Sequence, residues 1–409
     1  MHYNYKYRLD PPEALREELR HHVDTCRQLY NHVLYLLNES DDIPTRYEVQ
    51  GRLPDLKTWW DDLGDIHSKV LQIVVKRVYD NLSTLKSQKE NGRTVGMLKW
   101  KRPREYRSLT YNQSGFKLKN TSGRPVLWLS KIGEIPIHLH RDISENATIK
   151  QVTVKREPTG KWYATFGIDV DKDTPEKPKT PEQVVGIDVG ILKYAHDTDG
   201  YAIESPDFSD ERDRLERAQR DLSRKKHGSE NWEKQRKVVA ERHDDLKRKR
   251  RDFLHKLSNY YAREYDLVVV EDLDAKGLVE LPGNSRNRAG AAWGTFLRML
   301  EYKCEREGMH FVAVDPKDTT KECASCGVKR EKPLWVRKHS CPSCEFEADR
   351  DANAAWNILS RGLEQVGVVH SESTPVETAL PADTPVSAKR VIEAGSLTLK
   401  KRTASGVSE

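Results

Sequence analysis

Residues 2–9, HYNYKYRL, alternate apolar and polar positions and predict a β-strand. Past the prolines at 11 and 12 the spacing changes. Leu15, Leu19, Val23, Cys26, Tyr30, Val33, Leu34 and Leu37 recur every three or four residues, as one face of a helix requires. A second amphipathic helix fits residues 66–86, and Gly92, Gly96 and Pro103 break up the chain beyond it. From about residue 106 the texture becomes that of short strands: SLTYNQSGFKL, RPVLWLSKIGEIPIHL and ATIKQVTVKREPTGKWYATFGIDV, with PTG predicting a hairpin in the last. Residues 1–9 and 106–172 together predict a small β-barrel or sandwich, with a helical insert at 10–105.

Residues 173–183 are rich in proline and charge and read as a linker. Beyond it, VVGIDVGILKYAHDTDGYAIE predicts two strands joined by a tight turn, and a helical hairpin fits residues 209–264, turning near 227–229. DLVVVEDLD and HFVAVDP carry apolar runs suited to strands buried on both faces. Strands alternating with helices predict an α/β domain over 184–362. Residues 363–409 contain no Phe, Tyr or Trp and predict a disordered tail.

Charge adds a direction to this plan. The chain of 409 residues carries a formal net charge of +6, with 33% charged residues. Residues 212–256 hold 17 Lys/Arg against 9 Asp/Glu, a net of +8, so the rest of the chain is near −2. One segment carries the basic excess, as expected of a face that meets nucleic acid; within it lie Lys247, Arg250 and Arg251. No run approaches the ~18 apolar residues of a membrane span, and the first twenty residues lack a signal core. A cytoplasmic, nucleoid-associated protein with no membrane partner is expected.

Three carboxylates share an address in the α/β domain. Asp188 follows VVGI, Glu271 follows LVVV, and Asp351 lies at the start of a helix containing Ala354, Ala355 and Trp356. Singly each reads as a strand-end or cap residue; together they describe strand ends meeting one helix, where α/β folds place sites. Carboxylates so gathered repel, and divalent cations such as Mg²⁺ relieve the cost; two such ions support phosphodiester hydrolysis. GIDVG with DTDG could also open an actin- or chaperone-type ATPase, but the second phosphate hairpin and the Gly-Gly adenosine site are missing. Cys323-x2-Cys326 and Cys341-x2-Cys344 have the spacing of a tetrahedral four-thiolate zinc ribbon, at about 318–347. Four protein ligands leave no open position, so this zinc is structural, one per chain, and His339 stays out. Cations around it, Lys329, Arg330 and Arg337 among them, with Trp335 as a stacking face, suit a nucleic-acid strand. Cys26 and Cys304 read as ordinary buried thiols.

GIDVG, the basic hairpin, VVVEDL, the paired C-x-x-C insert and DRDANAAWNIL, in that order, resemble the TnpB family of insertion-sequence proteins, regarded as ancestral to type V CRISPR effectors. YRLDPPEALREEL and SLTYNQSGFKL extend the resemblance over about residues 3–362. It implies an RNA-guided, Mg-dependent DNA endonuclease with a RuvC-like (RNase H-type) domain, cutting next to a short adjacent motif. Asp188, Glu271 and Asp351 would be its catalytic acids and hold two Mg²⁺; Asp349 is the tempting wrong choice. The cysteines map to a zinc insert that handles target DNA. The N-terminal barrel and insert correspond to wedge and recognition parts, with Gln72 and Thr110 as candidates for reading the motif. Implied partners are a guide RNA transcribed from the element and double-stranded target DNA, bound by a monomer. A guided DNA-binding repressor without cleavage, or a DDE-type transposase, are the alternatives.

Overall fold

The computed structural model describes residues 2–40, 42–144, 146–170, 175–283, 285–333, 335–367 and 384–386. The chain divides into two compact units, residues 1–173 with 225–241, and residues 174–224 with 242–409.

The first unit opens with β1 (His2–Leu9) and α1 (Glu13–Glu39). Three short helical turns come next, α2 (Arg46–Gly51), α3 (Leu53–Trp59) and a 3-10 turn at Asp61–Leu63, and then α4 (Ser68–Glu90). Periodicity could not announce the short turns, because one or two turns hold too few apolar positions to set a phase. Thr45 and Glu48 do form a reciprocal capping box at the start of α2. The strands are β2 (Ser108–Asn112), β3 (Phe116–Thr121), β4 (Arg124–Leu129), β5 (Gly133–His138), β6 (Ala147–Arg156) and β7 (Trp162–Val170). They form one antiparallel sheet in the order β2-β6-β7-β1-β5-β4-β3. β2 and β3 end the order on opposite sides, yet only residues 113–115 join them, a reach of roughly 14 Å. Six strand spacings laid flat would cover roughly 29 Å. The sheet must therefore curl until its edges approach. One apolar cluster fills it, joining Tyr7, Tyr111, Phe166 and Trp162 to the inner faces of α1 and α4.

The second unit holds β8 (Val184–Val189), β9 (Lys193–Asp197) and β10 (Tyr201–Glu204). Three strands stand where the sequence predicted two, because the run turns twice, at residues 190–192 and again at the DTDG turn where Gly200 takes φ +80°. The hairpin is α5 (Ser209–Ser223) and α6 (Glu230–Glu264). Next come β11 (Leu267–Glu271), α7 (Ala275–Glu280), α8 (Ser285–Ala291), α9 (Trp293–Glu307) and β12 (His310–Val314). A two-strand ribbon, β13 (Lys338–Ser340) and β14 (Glu347–Asp349), leads into α10 (Arg350–Val366). That helix overruns the expected boundary at 362 because Leu363 continues its buried face. β15 (Thr384–Val386) runs parallel to β10; the rest of the expected tail beyond 367 lies outside the described residues. The sheet order is β12-β11-β8-β9-β10-β15. β12, β11 and β8 are parallel neighbours, and β9 is antiparallel to both β8 and β10. Cys26 and Cys304 are buried free thiols, and burial pushes both up to about 12. No helix among the described residues is long and apolar enough to cross a membrane.

Candidate functional site

Strand periodicity fixes where the acids face. In β11, Leu267 and Val269 pack with Ile358 and Leu359 of α10, while Val268 and Val270 pack with Phe253 of α6 and Phe296 of α9. Glu271, two residues past Val269, therefore belongs to the α10 face. In β8, Val185 and Ile187 join the α6–α9 side, which turns Gly186 and Asp188 toward α10. The register Val269↔Gly186 and Val270↔Ile187 leaves Glu271 and Asp188 next in line on adjacent parallel strands. Gly186 is what lets α10 come close, since a β-carbon there would lie 2.2 Å from the Ala355 carbonyl oxygen. Asp351 sits in the first turn of α10. Two strand ends and one helix start thus bring the three predicted acids to one place.

Their charges meet at Asp188. The Asp188 carboxyl is pushed well above the usual range, first by burial and then by Glu271 and Asp351, with Arg337 and Arg350 opposing. Glu271 is 8% exposed, and burial raises it too. Thr319 Oγ1 donates to Glu271 Oε1 at 2.5 Å and partly offsets that rise. Asp351 accepts from the Arg337 guanidinium. Asp349, not Asp351, is the helix cap, accepting from the Asp351 N–H at 2.8 Å. The trio is looser than a closed cage. Among the described residues, the sets of three or more donor groups lying within 4.8 Å of one another are the four cysteines and, separately, His21, Asp62 and Asp65.

The four cysteines are packed more tightly. Cys323 and Cys344 sulfurs are 3.7 Å apart, and those of Cys326 and Cys341 are 3.5 Å apart. A tetrahedron with bonds of ~2.3 Å has edges of ~3.8 Å, so this set could hold zinc with little movement. Both knuckles use one turn: Gly327 N–H donates to the Cys323 carbonyl and Glu345 N–H to that of Cys341, with φ of +75° and +59° at the donors. The Ser343 N–H holds the Cys341 thiol down at about 6. His339 is buried outside the sulfur set, its Nδ1 2.7 Å from Lys332 Nζ.

The ribbon is tied to α10 by two buried asparagines. Asn353 Nδ2 donates to the Glu322 carbonyl at 2.7 Å, and its Oδ1 accepts from Ala324 N–H at 3.0 Å. Asn357 Nδ2 donates to the Glu322 and Thr319 carbonyls, both at 2.8 Å. Arg350 reaches back to the Pro333 carbonyl at 2.7 Å. One short stretch, residues 319–324, thus touches Glu271 through Thr319, carries the first cysteine of the sulfur set and grips the helix that bears Asp351. Sequence pattern assigns no such role to Thr319, Asn353 or Asn357, and it counts Arg337 only among the ribbon's cations. The asparagines left a signal, though: two Asn at i and i+4 among the Ala, Ile and Leu of one helix.

The other predicted residues are scattered. Gln72 is half-buried and its carbonyl accepts from Gln50. Thr110 is buried, hydrogen-bonded to Thr153 at 3.0 Å with Arg77 at 3.4 Å, so its hydroxyl is already satisfied inside the first unit rather than displayed. Lys247 and Arg251 are exposed on α6, whereas burial lowers the Arg250 guanidinium. On the ribbon, Lys329 pairs with Asp318 at 3.2 Å and Arg330 donates to the Ser340 carbonyl at 2.6 Å. Trp335 is 81% exposed, so its ring is open to stacking and does not pack under the knuckle.

Residues 293–358 match the model of the Cas12f1-like TNB domain, and residues 167–281 match the OrfB family of IS605 elements, described as a probable transposase. Residues 1–40 match the helix-turn-helix domain of the same group, although here they form one strand and one long helix. A Streptomyces pristinaespiralis protein named "Putative RNA-guided DNA endonuclease" is 34% identical over 88% of this chain and 89% of its own length. The Escherichia coli K12 protein InsQ, given the same description, is 30% identical over 88% and 92%. Two solved structures share the fold at low identity. A Cas12f1–sgRNA–target DNA complex has a TM-score of 0.58 with 16% identity, covering 85% of this chain and 83% of that one. The mini RNA-guided endonuclease Cas-phi3 has a TM-score of 0.52 with 11% identity, covering 90% and 92%.

Proposed function

This chain belongs to the TnpB family of insertion-sequence proteins, and from that premise we propose that it is an RNA-guided DNA endonuclease whose cutting centre is Asp188, Glu271 and Asp351. The observation that carries the centre is the convergence of these acids on the α10 face, where Glu271 and Asp351 raise the cost of ionising Asp188. Oxygen donors that repel one another fit Mg²⁺, which takes a few carboxylates together with waters and phosphate oxygens. When bound there, two such ions supply a water activated for attack and charge to meet the leaving oxygen. The chain's own part is positional. Thr319 orients Glu271, Asp349 caps the turn that presents Asp351, and Arg337, which donates to Asp351, would be free to meet phosphate if Asp351 held a metal.

In this reading the sheet β12-β11-β8-β9-β10 is a RuvC-like, RNase H-type core, the four-cysteine ribbon holds one structural zinc, and the curled N-terminal sheet is the wedge barrel with α1–α4 as recognition insert. The partners are a guide RNA from the element and double-stranded DNA bearing a short adjacent motif, engaged by one protein chain per RNA. The test uses protein expressed with its flanking locus, purified with bound RNA and offered DNA matching that RNA. Cleavage should require Mg²⁺ and vanish with EDTA. Cutting that persists in EDTA, or in the Asp188→Ala protein, would overturn the assignment.

A further inference from the structure

Within the first unit, α1, α3 and the segment after α4 enclose an open cavity of about 420 Å³ that no part of the cutting centre uses. Its walls include Arg27, His32 and Tyr35 of α1, Trp59 and Trp60 at the end of α3, and Trp100. Trp59 and Trp60 lie near-parallel, with ring centroids 5.9 Å apart and planes at 23°, and His32 meets both edge-on. Trp59 is 64% exposed and Trp100 is 52% exposed. Large rings left that open around one hollow mark a binding surface more often than a packing defect.

The third wall is placed by hydrogen bonds. Asn31 holds the Lys101 backbone at both ends, Nδ2 donating to its carbonyl at 3.0 Å and Oδ1 accepting from its N–H at 2.8 Å. Arg27, fixed by Asp24 at 2.8 Å, adds a bond to the same carbonyl at 3.3 Å. That clamp sets Trp100 on the cavity and leaves Lys99 and Arg102 exposed on either side of it. The stretch from 93 to 107, RTVGMLKWKRPREYR, carries six Lys/Arg and one acid. Rings lining a hollow, with exposed cations next to one of them in the chain, are the pairing that receives a single strand, bases on aromatic faces and phosphates on the cations. An aromatic cage for a cationic ligand fits less well, because no carboxylate is among the residues lining the cavity and its charged wall residue is Arg27.

We infer that this cavity takes an unpaired nucleobase of the bound RNA, stacked against Trp59 and Trp100, with the flanking phosphates met by Lys99 and Arg102. RNA is the better source than duplex DNA, since folded RNA displays unstacked bases in loops and bulges whereas duplex DNA keeps them paired. The inference rests on the guided-nuclease reading but not on its catalytic acids.

The test compares full-length wild-type protein with the Trp59→Ala and Trp100→Ala variants for binding of RNA transcribed from the locus flanking the gene, without DNA. Loss of one stacked base should weaken binding roughly 5- to 150-fold. Trp100→Phe should recover most of it, and thermal unfolding should match wild type in all variants. Ultraviolet irradiation of the wild-type complex should give a nucleotide adduct on the peptide bearing Trp59 or Trp100. RNA affinity within twofold of wild type in both alanine variants would overturn the inference. So would a defect that appears only when target DNA is added, which would give the cavity to DNA. Wild-type protein that binds no RNA at all would overturn the functional reading itself, and the cavity's ligand with it.

Discussion

Asp349 and Asp351 sit two residues apart at the start of one helix and face different tasks. Asp349 accepts the Asp351 N–H and so stops the ribbon strand and starts α10. Asp351, the second residue of the helix, points its carboxylate at Arg337 and lies close enough to Asp188 to shift it. The motif D-R-D offers both; the family resemblance points to Asp351 by its place two before Asn353, and the hydrogen bond marks Asp349 as the cap. The expected outcome is therefore split. Asp188→Ala, Glu271→Ala and Asp351→Ala should each lower guided cleavage by at least ~10³-fold while leaving DNA binding within a fewfold, because each removes an oxygen donor and no phosphate-binding cation. Asp349→Ala should cost about 1 kcal/mol of helix stability and keep cleavage measurable. Single-turnover cleavage and binding assays on the four variants check this, and full activity in the Asp351 protein would transfer the role to Asp349. Glu271 carries a second expectation. Thr319→Val removes the hydroxyl that orients it and should depress cleavage, whereas Thr319→Ser, which keeps the donor, should restore it.

At the scale of elements, α10 connects the four-cysteine ribbon and the sheet. Its sheet side is unusually close: besides Gly186, a β-carbon at Gly362 would fall 2.4 Å from the Val269 methyls. Gly186→Ala should push α10, and Asp351 with it, off β8, at a cost of about 1–3 kcal/mol and with cleavage lost well before the protein unfolds. Thermal unfolding set beside the cleavage rate separates the two effects; a variant as stable and active as wild type would show that the helix can retreat freely. On the ribbon side, Asn353→Ala breaks both bonds to the first knuckle and leaves the half-buried Ala324 N–H without its acceptor, so zinc should leave the protein faster when a chelator is added. Release at the wild-type rate would mean the ribbon holds its metal unaided. Much of this arrangement could be read in the sequence: β1, α1, α4, the α5–α6 hairpin and the buried strand β11 all come from period and punctuation. Contacts without period could not be read. The Asn353 and Asn357 clamps, the Thr319–Glu271 bond and the third strand after Gly190 depend on which carbonyl lies opposite which side chain. The tryptophan cavity likewise needed residues 27–35, 59–60 and 100 brought together by α3, a helix too short to predict.

For the molecule as a whole, the question is what supplies sequence specificity. Basic residues gather in 212–256, net +8, and again in 93–107, with six Lys/Arg against one acid, and phosphate contacts of that kind fix register and affinity without reading bases. Of the residues expected to contact a fixed motif, Thr110 is buried with its hydroxyl already bonded. Neither feature reads a long target. If base pairing does the reading, specificity should move with the RNA and not with the protein. Protein purified from cells carrying its flanking locus should hold one dominant structured RNA. Exchanging the terminal segment of that RNA should redirect cutting to DNA matching the new segment, while the requirement for a short neighbouring motif stays as it was. Raising salt should weaken binding to matched and unmatched DNA alike, since the electrostatic contribution is blind to sequence. Sequencing the bound RNA and mapping the cut sites for two guides tests all of this together. A heterogeneous RNA pool, with cut sites that do not follow the guide, would leave a metal-dependent nuclease that chooses its DNA by some surface of its own.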